Sequence, residues 1–261
     1  FQGNGNLYVK GIYKHAICSD DYIYMRGGNI TVTSAASDAI HAKDYFRMSN
    51  GILDLKASSD GIDCDEGYIT IDGGSITVKS ADDGIVASYE DADALVSDIT
   101  INGGTINVTT SGEKAMGLKS DLGGLIVNNG NITVRTTGLA AKAFKTGGSV
   151  AIYGGEMNLT TTGSSFYDTS DLDISSAAGI NCDGNMIVEN GTITINSSGA
   201  GGKGISVDGT LTINNGTIKV TTTGGQYKYN SSNDTAAKAI KSDRNLTVKG
   251  GTIIIRTSGV E

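Results

Sequence analysis

Residues 27–51 read GGNITVTSAASDAIHAKDYFRMSNG, and residues 52–74 read ILDLKASSDGIDCDEGYITIDGG. The second stretch repeats the first. Each holds three short runs in which apolar residues alternate, as strands with one buried face require. In the first stretch these runs are NITVTS, DAIHAK and YFRMSN. A Gly-Gly or Asn-Gly pair closes each unit and marks a turn that calls for positive φ.

The unit recurs to the end of the chain. Nine segments align on Ile30, Leu53, Ile76, Ile106, Ile132, Met157, Ile193, Ile218 and Ile253. The first two spacings are both 23 (53−30 and 76−53). Longer units keep the same strands and add loops at 87–98, 163–177 and 225–235. Three strands per turn predict an all-β fold, a right-handed parallel β-helix of about nine to ten coils, stacked about 4.8 Å apart. Propeller blades, with four strands in about 40–45 residues, fit the shortest units poorly. Residues 1–261 are expected to form a single, monomeric β-helix domain. The opening GNLYVKG reads as a third strand and the closing GTIIIRTSGVE as a first strand. Both ends are therefore expected to lie mid-coil, within a longer secreted protein.

Composition agrees with this. The chain has 38 glycines, no proline and no tryptophan, and a net charge of −8. Residues 1–100 carry 16 Asp/Glu and 7 Lys/Arg, a balance of −9, whereas residues 101–261 carry 12 and 13, a balance of +1. An acidic protein is a poor partner for nucleic acid. No run approaches the ~20 apolar residues that span a bilayer. The acid excess in the first third points to cation binding.

Stacking the second strands exposes where that charge sits. HAICSD (15–20), DAIHAK (38–43), DGIDCD (60–65), DGIVAS (83–88), KAMGLK (114–119), KAFKTG (142–147), AGINCD (178–183), KGISVD (203–208) and KAIKSD (238–243) align on one buried apolar residue. Two places before it, the column reads His15, Asp38, Asp60, Asp83, Lys114, Lys142, Ala178, Lys203, Lys238. Asp82 adjoins Asp83, and Asp63 and Asp65 should point outward from the same coil as Asp60. Oxygen-only donors of high charge suit Ca²⁺, which takes six to eight oxygens. Asp38, Asp60, Asp63, Asp65, Asp82 and Asp83 are thus the candidate calcium ligands. Separate, solvated turn-capping aspartates are the alternative. The acidic runs at 89–98 and 167–173 read as solvated loops, with calcium as their alternative.

Beyond the acids, Lys114, Lys119, Lys142, Lys145, Lys203 and Lys238 form a basic stripe that a polyuronate could follow, unless they pair with Asp183, Asp208 and Asp243. Lys43 lies beside the acids. Tyr22, Tyr45 and Tyr68 recur every 23 residues, either as a packed ladder or as a platform for sugar rings. Cys64 and Cys182 should face inward, and Cys18 and Cys64 lie two coils apart, about 9–10 Å. That exceeds the reach of a disulfide, about 7 Å, so three free thiols are expected. His15 and His41 look isolated and are assigned to the surface, with no histidine or cysteine placed for zinc.

The repeated GGxITV…SDGIxxxxxITIxGG pattern, with SDGIDCD (59–65) and ADDGI (81–85), resembles a family of secreted bacterial carbohydrate-binding β-helix proteins. That family is similar to the pectate lyases of polysaccharide lyase family 9 in fold and calcium placement. The resemblance implies a secreted or bacterial-surface protein that binds cellulose or a pectin-type polysaccharide with calcium, without cleavage. Its candidate glycan contacts are Lys43, Lys114, Lys119, Lys142, Tyr45 and Tyr68. Two alternatives stand beside it. One is an active calcium-dependent lyase with Lys119 or Lys114 as base, and the other is an adhesin stalk stabilised by calcium.

Overall fold

The computed structural model describes residues 1–88 and 96–259. The chain winds as a right-handed parallel β-helix of three sheets, one of ten strands and two of nine. Consecutive coils add a strand to each of these three sheets, so every ladder within them is parallel and each returning connection runs once around the solenoid. Leu7, Ile30, Leu53, Ile76, Ile106, Ile132, Met157, Ile193, Ile218 and Ile253 form one continuous register column in the first sheet. The alternation seen in the sequence is what fills the interior. In Ser75–Ser80, for example, Ile76 and Val78 are buried while Lys79 is exposed.

The opening strand departs from expectation. Asn6–Gly11 pairs with Asn29–Ala35 and is a first strand, not a third. The register fixes this: Asn29 N donates to the Gly5 carbonyl just as Ile52 N donates to the Gly28 carbonyl one coil on, so Gly5 holds the turn place of Gly28.

A small residue precedes the buried apolar residue of each second strand because the wall is closest there. A Cβ built on Gly84 would lie 2.3 Å from Val108 Cγ1 and 2.5 Å from the Gly117 carbonyl oxygen. That contact explains the recurrent Asp-Gly-Ile.

Loops leave the solenoid at two corners. Hairpins Phe166–Asp168/Asp173–Ser175 and Tyr227–Lys228/Asp234–Thr235 both rise between a first and a second strand. Tyr167 and Tyr229 stack with centroids 4.1 Å apart, and Tyr167 N donates to Tyr227 Oη at 3.0 Å. The insertion at 87–98 instead separates a second strand from a third, and its residues 89–95 lie outside the described residues. Cys18, Cys64 and Cys182 are free thiols, the last two buried.

Candidate functional site

The aspartate column is a hydrogen-bonded ladder. Asp60 N donates to Asp38 Oδ1 at 3.0 Å, Asp83 N to Asp60 Oδ1 at 2.6 Å, and Met116 N to Asp83 Oδ1 at 2.6 Å. Each carboxylate commits one oxygen to the backbone of the next coil. The other oxygen remains for a second partner. The turn-capping role and a ligand role are therefore compatible in one residue.

The six candidate carboxylates divide into two groups. Asp60, Asp82 and Asp83 bring oxygen donors within 4.8 Å of one another. Burial, then Asp83, Asp38 and Asp82, push the Asp60 carboxyl up to about 8. Asp83 is also raised, by burial, against the opposing pull of Lys119 and the Met116 N–H. Near neutral pH the Asp60 carboxyl therefore holds a proton unless a cation takes its place. Its all-oxygen donor set fits calcium.

Asp38, Asp63 and Asp65 face histidine instead. His15 and His41 are not isolated. Their rings stack, with centroids 4.2 Å apart and planes at 19°. Asp38 Oδ2 lies 2.7 Å from His15 Nδ1 and 3.7 Å from His41 Nδ1. Asp63 Oδ2 is 3.0 Å from His41 Nδ1, and Asp65 Oδ2 is 3.2 Å from His41 Nε2. Asp38 and Asp63 raise His41 to about 10. Burial acts to raise Asp38, yet the nearby His41 ring and the hydrogen bond from Asp60 N–H hold it below the usual carboxylate range. The signal for this cluster was present in the sequence. Position 15 lies 23 residues before Asp38, one minimal coil, and His41 lies three residues after it.

The lysines need one correction of register. Leu118, not Met116, pairs with Ile85, so Met116 rather than Lys114 continues the column. The insertion before it hides the slip, and burial decides it, since Leu118 is buried and Met116 is half-buried. Lys114 sits in a tight turn at φ 56° and pairs with Asp168 and Asp171 of the first hairpin. The acidic run at 167–173 is therefore engaged by lysine. Lys119 Nζ lies 3.2 Å from both Asp83 Oδ2 and Asp121 Oδ1. Burial would lower the Lys119 pKa, but the two aspartates outweigh it and raise it. Asp168 raises Lys114 likewise. A general base needs the opposite shift, and both ammonium groups are held by carboxylates here.

Further along the same face lies a groove of about 530 Å³ between the second-strand sheet and the hairpins. Five lysines line it (Lys142, Lys145, Lys203, Lys238, Lys241) against three aspartates (Asp173, Asp183, Asp208), an excess of two positive charges. Lys145 pairs with Asp183, and Lys241 with Asp243 at 2.8 Å. Lys203 is buried, and its Nζ donates to Thr235 Oγ1 at 2.6 Å and the Ala236 carbonyl at 2.7 Å, both neutral. Burial, then Lys238 and Lys241, lower it to about 8. Burial and Lys145 lower Lys142 to about 8 also. Lys43 stands apart, half-exposed and 3.4 Å from Glu66.

The tyrosines form a packed ladder. Tyr22 stacks on Tyr45 at 4.6 Å, and Tyr45 on Tyr68 at 5.3 Å. Tyr45 is thus covered on both faces by rings, which leaves no face for a sugar. Tyr68 is covered by a ring on one face.

The geometry thus presents a polar, ligand-rich wall on a repeating scaffold. The family described as carbohydrate-binding domain-containing protein matches the chain over residues 1–121, 114–201 and 198–259. The chain belongs to this carbohydrate-binding domain family. Membership supports carbohydrate binding in general and a polysaccharide as partner. Searches of curated proteins and of solved structures found no match. Among the described residues, no helix is long and apolar enough to cross a membrane.

Proposed function

We propose that this carbohydrate-binding protein holds an acidic, pectin-type polysaccharide along its second-strand face, with calcium, and does not cleave it. The observation that carries the reading is the buried Lys203 ammonium, which has only neutral partners in a groove of net positive lining. A carboxylated polymer supplies the missing counter-charges. Neutral cellulose does not, so uronate is favoured over cellulose. At the acidic end, Asp60, Asp82 and Asp83 are the residues that would hold calcium. A bound ion would neutralise that cluster and leave sites for uronate carboxylates. Such binding belongs outside the cell, at the bacterial surface or in secretions, where millimolar calcium saturates weak sites. Raised pKa values at Lys114 and Lys119 speak against the lyase reading.

Calorimetry on chelator-treated protein tests the proposal. Wild type should bind calcium, and polygalacturonate in its presence, while Asp60→Asn/Asp83→Asn should lose the calcium heat. Polymer binding by neither form, with or without calcium, rejects the reading.

A further inference from the structure

The histidine cluster has a different donor chemistry from the all-oxygen group. We propose that His15, Asp38 and His41 form a three-ligand site for a transition-metal ion of the zinc class. Three features of the cluster converge on it.

His15 is the first. Its side chain is 10% exposed, and its Nδ1 is shut off from solvent with no hydrogen-bond partner among the described residues. Asp38 Oδ2 is close, at 2.7 Å, but not on the line that a ring N–H would need. A buried nitrogen lone pair without a donor is costly unless something accepts it. A metal ion does.

Asp38 is the second. Its Oδ1 is taken by Asp60 N, so Oδ2 is the atom left to bind, and it lies towards both imidazoles. His15 Nδ1, Asp38 Oδ2 and His41 Nδ1 all fall within 4.8 Å of one another. The two short separations, 2.7 and 3.7 Å, bracket the roughly 3.3 Å between ligand atoms of a tetrahedral ion with bonds near 2.0–2.1 Å. The rings must turn from their parallel stack for both lone pairs to converge.

His41 is the third. Its Nδ1 also lies 3.0 Å from Asp63 Oδ2, a contact the ion would replace on displacing the ring proton, while its far nitrogen, Nε2, faces Asp65 Oδ2 at 3.2 Å. A ligating histidine characteristically offers its other N–H to a carboxylate, which sets the tautomer and the ring orientation. Asp65 is a positioning residue in that sense. Two imidazoles and one carboxylate with a fourth position open suit zinc, whereas calcium prefers oxygen alone.

Cobalt(II) is the probe, because a four-coordinate ion with nitrogen ligands absorbs visible light. Chelator-treated wild type should bind one equivalent with intense visible bands, which zinc abolishes and calcium leaves unchanged. His15→Ala and His41→Ala should each remove the bands, and Asp60→Asn should keep them. Asp65→Asn should weaken affinity by about 10- to 100-fold. Should the histidine variants fail to fold, nitrogen resonances of the wild-type imidazoles replace them. Zinc must then shift both Nδ1 signals. Absent bands, bands that persist in a folded histidine variant, displacement by calcium, or unshifted Nδ1 signals would each overturn the assignment.

Discussion

Lys119 Nζ lies 3.2 Å from Asp83 Oδ2, which joins the last carboxylate of the aspartate ladder to the first lysine beyond it. The oxygen that Asp83 would offer to calcium is thus shared with an ammonium. Removing the competitor should favour the ion. Lys119→Met is expected to tighten calcium binding roughly threefold or more, read by calorimetry. Unchanged or weakened binding would place the ion elsewhere.

Asp60 makes stability depend on pH. Its folded value, about 8, lies above the ordinary carboxylate value of about 3.9. The folded state therefore holds a proton that the unfolded chain releases. In calcium-free buffer this contribution is complete below about pH 4 and is lost as pH rises towards 8. The loss is on the order of a few kcal/mol, and Asp60→Asn should flatten the slope. Urea melts across pH 4–9 measure it, and calcium should restore the lost stability at high pH.

Lys203 works with the opposite sign. Its folded value of about 8 lies below the ordinary lysine value of about 10.4. Folding stability from this group is lowest where both states are charged, below pH 8, and rises between about 8 and 10. Affinity for polygalacturonate should fall over pH 7–9 as the ammonium is lost. Lys203→Met should stabilise the fold at neutral pH while weakening the polymer. Equal affinity in the two proteins would remove Lys203 from the binding surface.

Tyr45 separates packing from recognition. Its two stacked neighbours make Tyr45→Ala cost about 1–3 kcal/mol from two aromatic pairs. Glycan affinity should be unchanged, since the ring faces are covered. A stable Tyr45→Ala protein with lost glycan binding contradicts this.

Gly84→Ala tests the corner geometry. Its Cβ meets Val108 Cγ1 at 2.3 Å and the Gly117 oxygen at 2.5 Å, and overpacking of this kind costs about 1–3 kcal/mol. Adding Val108→Ala should recover only part, because the carbonyl remains. Full recovery would mean that the side chain alone sets the limit.

The amino-acid sequence alone determined the scaffold. Alternation assigned Ile30, Leu53 and Ile76 to one inward column, and glycine pairs placed the turns, because a solenoid repeats the same local problem each coil. The aspartates of one column were legible for the same reason, while coils stayed 22 or 23 residues apart. Counting failed where the insertion stretched that interval to 33, between Asp83 and Met116, and Lys114 was put in a place that Met116 holds. Only the tertiary structure decided which charges meet. His15 and His41 came together across coils, Lys114 was drawn to a hairpin 54 residues on (168−114), and the tyrosine faces were spent on one another. Period reports the column that a residue occupies. Which partner its side chain reaches depends on rotamers, on loop lengths and on neighbours one coil away, and those are settled by packing in three dimensions.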